Sequence, residues 1–280
     1  MKLLRYGALG QEKPALLDSN GVLRDLSGTI PDLAGQALTG ASLAKIKALD
    51  PESLPVVSGS PRLGACVGDV RNFIAVGLNF ADHAAETGAE IPKEPILFNK
   101  APNCIVGPND DVIIPKGSVK TDWEVELAIV IGERALYLDS PADSSRHIAG
   151  YLVANDLSER EFQLEVSGGQ WSKGKSAPGF SPLGPWLVTP DEVDAGNLRL
   201  RSWVNGEPRQ DSSTADLVFG IDHIIWHLSQ FLALEPGDVV LTGTPEGVAL
   251  SGRFPYLKAG DVVEIEIEGL GRQRQVFAQA

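Results

Sequence analysis

Short runs of alternating apolar and polar residues, broken repeatedly by glycine or proline, fill this 280-residue chain and predict a protein built mostly of short strands. Near the N-terminus, Lys2 to Tyr6, Pro14 to Leu17 and Val22 to Leu26 read as strands, and a modest helix is expected from Ser42 to Ala48. The stretch from Pro51 to Pro61 is rich in Pro, Ser and Gly and reads as a linker. Residues 1–62 are therefore expected to form a small N-terminal domain with its linker, and 63–280 the main domain.

In the main domain, Phe73 to Gly77 reads as a strand turning directly into a helix start over 78–86. A short apolar piece follows at Pro95 to Phe98, and Gly150 to Ala154 reads as a buried strand ending at Asn155-Asp156. Helices are expected at Pro141 to His147, Glu159 to Val166 and Ile221 to Leu232; residues 168–176 form a glycine-rich loop with two lysines. Asn205-Gly206 marks a hairpin, Asp238 to Leu241 a strand, and Asp261 to Phe277 a closing hairpin.

One run breaks the pattern. In Thr121 to Ile131, read as a strand, Trp123, Val125, Leu127, Ile129 and Ile131 share one face, and Asp122, Glu124, Glu126, Ala128 and Val130 the other. The second face begins with three acids and then turns apolar, as a strand would that runs from a polar cavity into a core buried on both sides. Successive same-face carboxylates lie about 7 Å apart and repel unless a cation or proton intervenes. A half-exposed strand with solvated acids gives the same pattern.

Composition narrows the partners. A net charge of −13 and a pI near 4.8 disfavour nucleic acid and anionic membrane surfaces, though a local metal could still draw an anionic small molecule into a site. Two cysteines, Cys66 and Cys104, form neither a zinc pattern nor a disulfide framework, and no run has signal-peptide or membrane-spanning character, so a reduced cytoplasmic protein is expected.

Asp156 adds a strand-end acid that suits a hard, oxygen-liganded cation such as Mg²⁺; it could equally cap a helix beginning at Leu157. His83 and Glu86 share a helix face, where the acid would fix the histidine tautomer for general-base work, or both could be solvated. Lys175 could meet an anionic or enolate oxygen, or lie free in its loop. His223 and His227 lack a third ligand and read as packing residues, and His147 as surface.

Five stretches in order, 77–86, 122–127, 150–158, 174–176 and 237–247, resemble the fumarylacetoacetate hydrolase family over roughly residues 70–276. The resemblance implies an α+β, mostly β fold, in which a mixed β-roll catalytic domain follows a small N-terminal αβ domain, and protomers that pair as homodimers. It places Glu124, Glu126 and Asp156 as ligands of Mg²⁺ or Mn²⁺, and His83, Glu86 and Lys175 as catalytic. Thr244 falls in a loop that holds a substrate carboxylate. Asn79 stands where the name-giving enzyme has a further metal-binding aspartate; it is taken here as a substrate contact, and the ligand set stops at three acids. Phe80 stands where many relatives carry tyrosine.

The implied chemistry is metal-dependent cleavage of a C–C bond in a small anionic 2,4-diketo acid, giving pyruvate and a second acid. Similarity along the whole chain narrows the substrate to a 2,4-diketo-3-deoxy sugar acid such as the rhamnonate or fuconate derivative. The same groups would also suit a decarboxylase, an isomerase or a ureidoglycolate lyase-like enzyme, and a protein of another class would bind a 2-oxo acid without turnover.

Overall fold

The computed structural model describes residues 1–280 and is strand-dominated, with few helices. Its main element is a ten-stranded sheet. Along it lie Leu23–Asp25, Lys13–Leu17, Lys2–Tyr6, Leu187–Val188, Ile148–Asn155, Val125–Ile131, Val239–Leu241, Phe73–Gly77 and Ile96–Asn99, with Leu63–Gly64 paired to Lys2–Tyr6 off this path. A five-stranded sheet carries the predicted hairpins: Glu207–Ser213, Arg199–Val204, Val262–Ile267, Gly271–Gln279 and Val112–Ile114, in that order.

At the centre of the large sheet, Val125–Ile131 pairs antiparallel with Ile148–Asn155 on one side and with Val239–Leu241 on the other. All seven of its residues are buried, as a strand covered on both faces requires. The next pairing, Val239–Leu241 with Phe73–Gly77, is parallel. These pairings bring the ends of four sequence-distant strands together, which is where the site forms.

The N-terminal strands differ from the expected separate unit. Lys2 and Leu3 pair with Val188 and Leu187, so these strands extend the main sheet. Leu3, Leu16, Leu26 and Leu33 belong to the same apolar cluster as Val125 and Leu152. A sequence segment poor in chemical groups looks autonomous, but its three short strands bury their apolar face only by joining the larger sheet.

Several helical expectations shift. The Ser42 helix spans Gly40–Lys47, and Ile221–Ser229 is shorter at its C-terminal end than expected. Glu161–Glu165 is a single π-helical turn, and Ser172–Lys175 winds into a helical turn where a loop was expected. His147 is buried, not on the surface. His223 and His227 stack with ring centroids 6.1 Å apart in an aromatic ladder with Phe219, Trp226 and Phe231. Both cysteines are buried and free, and no helix is long and apolar enough to cross a membrane.

Candidate active site

The polypeptide leaves regular pairing between Thr121–Asp122 and Val125–Ile131, and Trp123-Glu124 bridge the gap. Glu124 and Glu126 keep the same-face relation read from the alternation, while Asp156 arrives from the end of Ile148–Asn155, its N–H donating to the Glu124 carbonyl at 3.0 Å. One carboxylate oxygen from each of Glu124, Glu126 and Asp156 lies within 4.8 Å of the others, and all three residues are buried. Asp156 caps no helix: the chain continues as the short strand Ser158–Glu159.

Three buried cations answer these acids. Lys175 Nζ donates to Glu124 Oε2 at 2.6 Å and to Asp156 Oδ2 at 2.7 Å. Lys100 donates to the other Asp156 oxygen and to the Phe180 carbonyl at 3.0 Å. Arg160 Nε donates to Asp122 at 2.8 Å and Nη1 to Gln163 Oε1 at 2.9 Å. Its Nη2 sits 2.8 Å from Asp122 and 2.7 Å from Glu124, as ion-pair contacts outside hydrogen-bonding angles.

Asp122, the outermost of the three acids, supports Glu124 from behind through Arg160. It has no exposed surface and accepts from the backbone N–H groups of Trp123, Ala249 and Leu250 as well as from Arg160, tying the acidic segment to the 249–250 turn.

The cluster is short of one positive charge. Asp122, Glu124, Glu126 and Asp156 are four carboxylates; Arg160, Lys175 and Lys100 are three cations. Glu126 bears the deficit, since its hydrogen bond comes from the neutral Gly243 N–H at 2.7 Å. Burial, and then the charges of Asp156 and Glu124, push the Glu126 carboxyl well above its ordinary range. Burial opposes the charge on Glu124 too, but Lys175 and Arg160 prevail and hold it far below that range. Lys175 is raised, the attraction of Asp156 and Glu124 outweighing its desolvation. A buried group of carboxylate oxygens that converge within 4.8 Å fits a hard divalent cation, for which Glu124, Glu126 and Asp156 are the candidate ligands.

His83 lies on the helix Ala81–Thr87, and Glu86 is one turn further on. Nδ1 of His83 is 2.9 Å from Glu86 Oε1, which makes Nδ1–H the donor and leaves Nε2 as the free base. Glu86 also accepts from the Gly247 N–H at 3.0 Å and from Arg253 at 2.7 Å. Burial raises this carboxyl, but the hydrogen bonds from His83, Gly247 and Arg253 together leave it below the ordinary carboxylate range.

The loop from Thr242 to Gly247 therefore touches both halves of the site, through Gly243 on Glu126 and Gly247 on Glu86. It can do so because Gly243 and Gly247 have φ of 100° and 107°; a Cβ on Gly247 would lie 2.3 Å from the Arg209 carbonyl oxygen.

The two expected substrate contacts are placed differently. Asn79 is fully buried: Nδ2 donates to the carbonyls of Phe219 and Thr242, and Oδ1 accepts from the Phe219 N–H. It braces the loop and does not line the cavity, because its amide is spent on backbone. Thr244 does line the cavity, but its hydroxyl is engaged by Val125 and Gln210.

His83, Glu124, Glu126, Asp156 and Lys175 all line one cavity of about 250 Å³, together with Arg160 and Gln163. Lys100, Arg160 and Gln163 were missed from the sequence. Arg160 and Gln163 lie four and seven residues after Asp156, a proximity that could have flagged them, whereas Lys100 ends an apolar piece with no such signal.

A strand-based α+β fold thus turns a set of carboxylates, lysine and histidine into one cavity, the arrangement of an enzyme site. The model for the C-terminal domain of fumarylacetoacetate (FAA) hydrolase matches residues 72–278, and the chain belongs to that family. A Burkholderia multivorans protein, named only provisionally as a hydrolase, is 55% identical over 284 residues, covering 100% of both chains. The solved fumarylacetoacetate hydrolase of psychrophilic Exiguobacterium antarcticum is 33% identical with a TM-score of 0.85, again over 100% of both. The 5-carboxymethyl-2-hydroxymuconate delta-isomerase of Mycobacterium smegmatis is 32% identical with a TM-score of 0.77, covering 100% of this chain and 99% of that one.

Proposed function

We propose that this protein is a hydrolase that cleaves the C3–C4 bond of a 2,4-diketo acid, releasing pyruvate and a second carboxylic acid. The observation carrying this reading is the His83–Glu86 pair opening onto the same cavity as the Glu124, Glu126, Asp156 and Lys175 cluster. Hydrolysis needs a base for water at one carbon and positive charge for the enolate that leaves from the next; the two halves of the site supply one each.

His83 Nε2 takes a proton from water as its oxygen bonds to C4, and Glu86 steadies the resulting imidazolium through Nδ1–H. The C3–C4 bond breaks, its electron pair passing to the pyruvate fragment as an enolate. In this scheme the Lys175 ammonium stabilises that charge. The proton held on His83 returns to C3, giving pyruvate, and the acyl carbon leaves as the second acid. A divalent cation, Mg²⁺ or Mn²⁺ in this proposal, would supply Lewis-acid charge for the substrate's carboxylate and 2-oxo oxygens when bound by Glu124, Glu126 and Asp156.

The isomerase among the structural neighbours supports a second reading, keto–enol isomerisation, in which His83 moves a proton at C3 and no water adds. The test incubates purified protein and Mg²⁺ with acylpyruvates and 2,4-diketo-3-deoxy sugar acids, following enol absorbance and pyruvate. Stoichiometric pyruvate is expected. Loss of enol absorbance without pyruvate favours the isomerase, and tight binding without turnover a 2-oxo acid binding protein. The proposed unit is a homodimer, to be checked by light scattering.

A further inference from the structure

Each of the three candidate ligand carboxylates has one oxygen already held by the protein. Arg160 Nη2 lies 2.7 Å from Glu124 Oε1, the Gly243 N–H donates to Glu126 Oε2 at 2.7 Å, and the Lys100 ammonium donates to Asp156 Oδ1. The opposite oxygens are Glu124 Oε2, Glu126 Oε1 and Asp156 Oδ2. Lys175, which lines the cavity, donates to the first and last of these, and a carboxylate oxygen keeps a second lone pair beside one such hydrogen bond.

Lys100 is the least expected of the three holding groups. Its side chain has no exposed surface, and it does not line the cavity that Lys175, Glu124 and Asp156 share, so it reaches Asp156 from behind the wall. Its position is fixed. The Lys100 N–H donates to the Phe73 carbonyl at 2.9 Å, Nζ donates to the Phe180 carbonyl at 3.0 Å, and the ammonium lies 6.0 Å from the centre of the Phe73 ring. Burying an ammonium is costly, and Asp156 already has Lys175 as a cationic partner.

What a second lysine adds is orientation. With Oδ1 held from behind, Asp156 has a single oxygen left for the cavity side. That limits the cation the three acids can take. Ca²⁺ takes about six to eight oxygens and gains from carboxylates that chelate through both, whereas Mg²⁺ needs few protein oxygens and keeps water or substrate oxygens for the rest. We propose, on the reading that Glu124, Glu126 and Asp156 hold the metal, that Lys100 is a positioning residue that restricts Asp156 to one ligand oxygen and so selects Mg²⁺ over Ca²⁺.

Mg²⁺ and Ca²⁺ carry equal charge, so the ratio of their affinities separates this role from simple neutralisation. Removing the lysine charge strengthens the binding of both ions alike; freeing the Asp156 oxygen strengthens Ca²⁺ alone. The test is calorimetric titration of chelator-treated protein with each ion, for the wild type and Lys100→Met, whose side chain is close to lysine in length and cannot donate. In the wild type, Ca²⁺ is expected to bind no more tightly than Mg²⁺. Lys100→Met should shift the affinity ratio toward Ca²⁺ by about tenfold or more. An unchanged ratio overturns the proposal, and so does a wild type that already prefers Ca²⁺. Infrared difference spectra of the carboxylate stretches on Ca²⁺ addition to the wild type give a second readout that needs no folded variant. A one-oxygen coordination pattern is expected, and a two-oxygen pattern overturns the proposal. If neither ion binds the wild type, the metal reading itself fails and takes this role of Lys100 with it.

Discussion

Beside the cavity, four buried carboxylates and three buried cations form an inner cluster, while an outer, largely apolar stretch of its wall includes Leu78, Phe98, Leu164, Trp171 and Leu250. The inner cluster is expensive to bury, since desolvating each charge costs several kcal/mol before any pairing is counted. The outer wall costs nothing of that kind and gains from covering apolar surface. The fold thus concentrates its electrostatic cost where reactive groups must be held, and the surrounding apolar sheet keeps water from screening them.

The strongest way to break this comparison is to remove one inner charge at a time. Glu126→Ala should abolish divalent-cation binding, read by calorimetry. His83→Ala should leave binding intact but lower kcat by about 10² to 10⁴, the range for a lost general base. Full activity in His83→Ala would remove the base from the scheme.

Arg160→Met should be the most damaging to stability. It strips the guanidinium from Asp122 and Glu124, both buried, at a cost of about 3–5 kcal/mol in urea unfolding. A loss under about 1 kcal/mol would mean that the backbone N–H groups on Asp122 suffice alone.

The smallest effect concerns Glu86, at the edge between the two regions. Because its folded-state pKa is depressed, its contacts stabilise the protein above the ordinary carboxylate value and cease to do so as pH falls through the lowered value. Glu86→Gln should therefore flatten the acid side of the stability profile, measured by unfolding midpoints between about pH 3 and pH 7. Arg253→Ala should weaken that side less, because Arg253 is half-exposed and its pairing is screened by solvent. An unchanged profile in Glu86→Gln would show that the pair adds nothing to folding.

Much of the architecture could be read along the chain. The acid face of 121–131, the strand into the His83 helix and the Asn205-Gly206 hairpin all follow from side-chain periodicity and turn chemistry, which are local properties. Lys175 shows where that reading stops: between two small residues in a glycine-rich stretch it has the sequence profile of a solvated loop lysine, yet it is buried between Glu124 and Asp156. Lys100, just past the edge strand Ile96–Asn99, leaves no periodic trace at all, and the Asn79 amide is bonded to the backbone of Phe219 and Thr242.

The sequence by itself determined which residue types were available and, through strand alternation and helical spacing, that Glu124 faces with Glu126 and His83 with Glu86. Those relations span a few residues and depend only on backbone geometry. Tertiary structure alone decided the charge balance and the shape of the cavity. Lys100, Glu126, Asp156 and Gly243 are far apart in the chain, and only the pairing of sheet strands brings them together. Whether an acid is solvated, paired or short of a cation depends on that convergence, and so does the packing of Trp171 on Gly77.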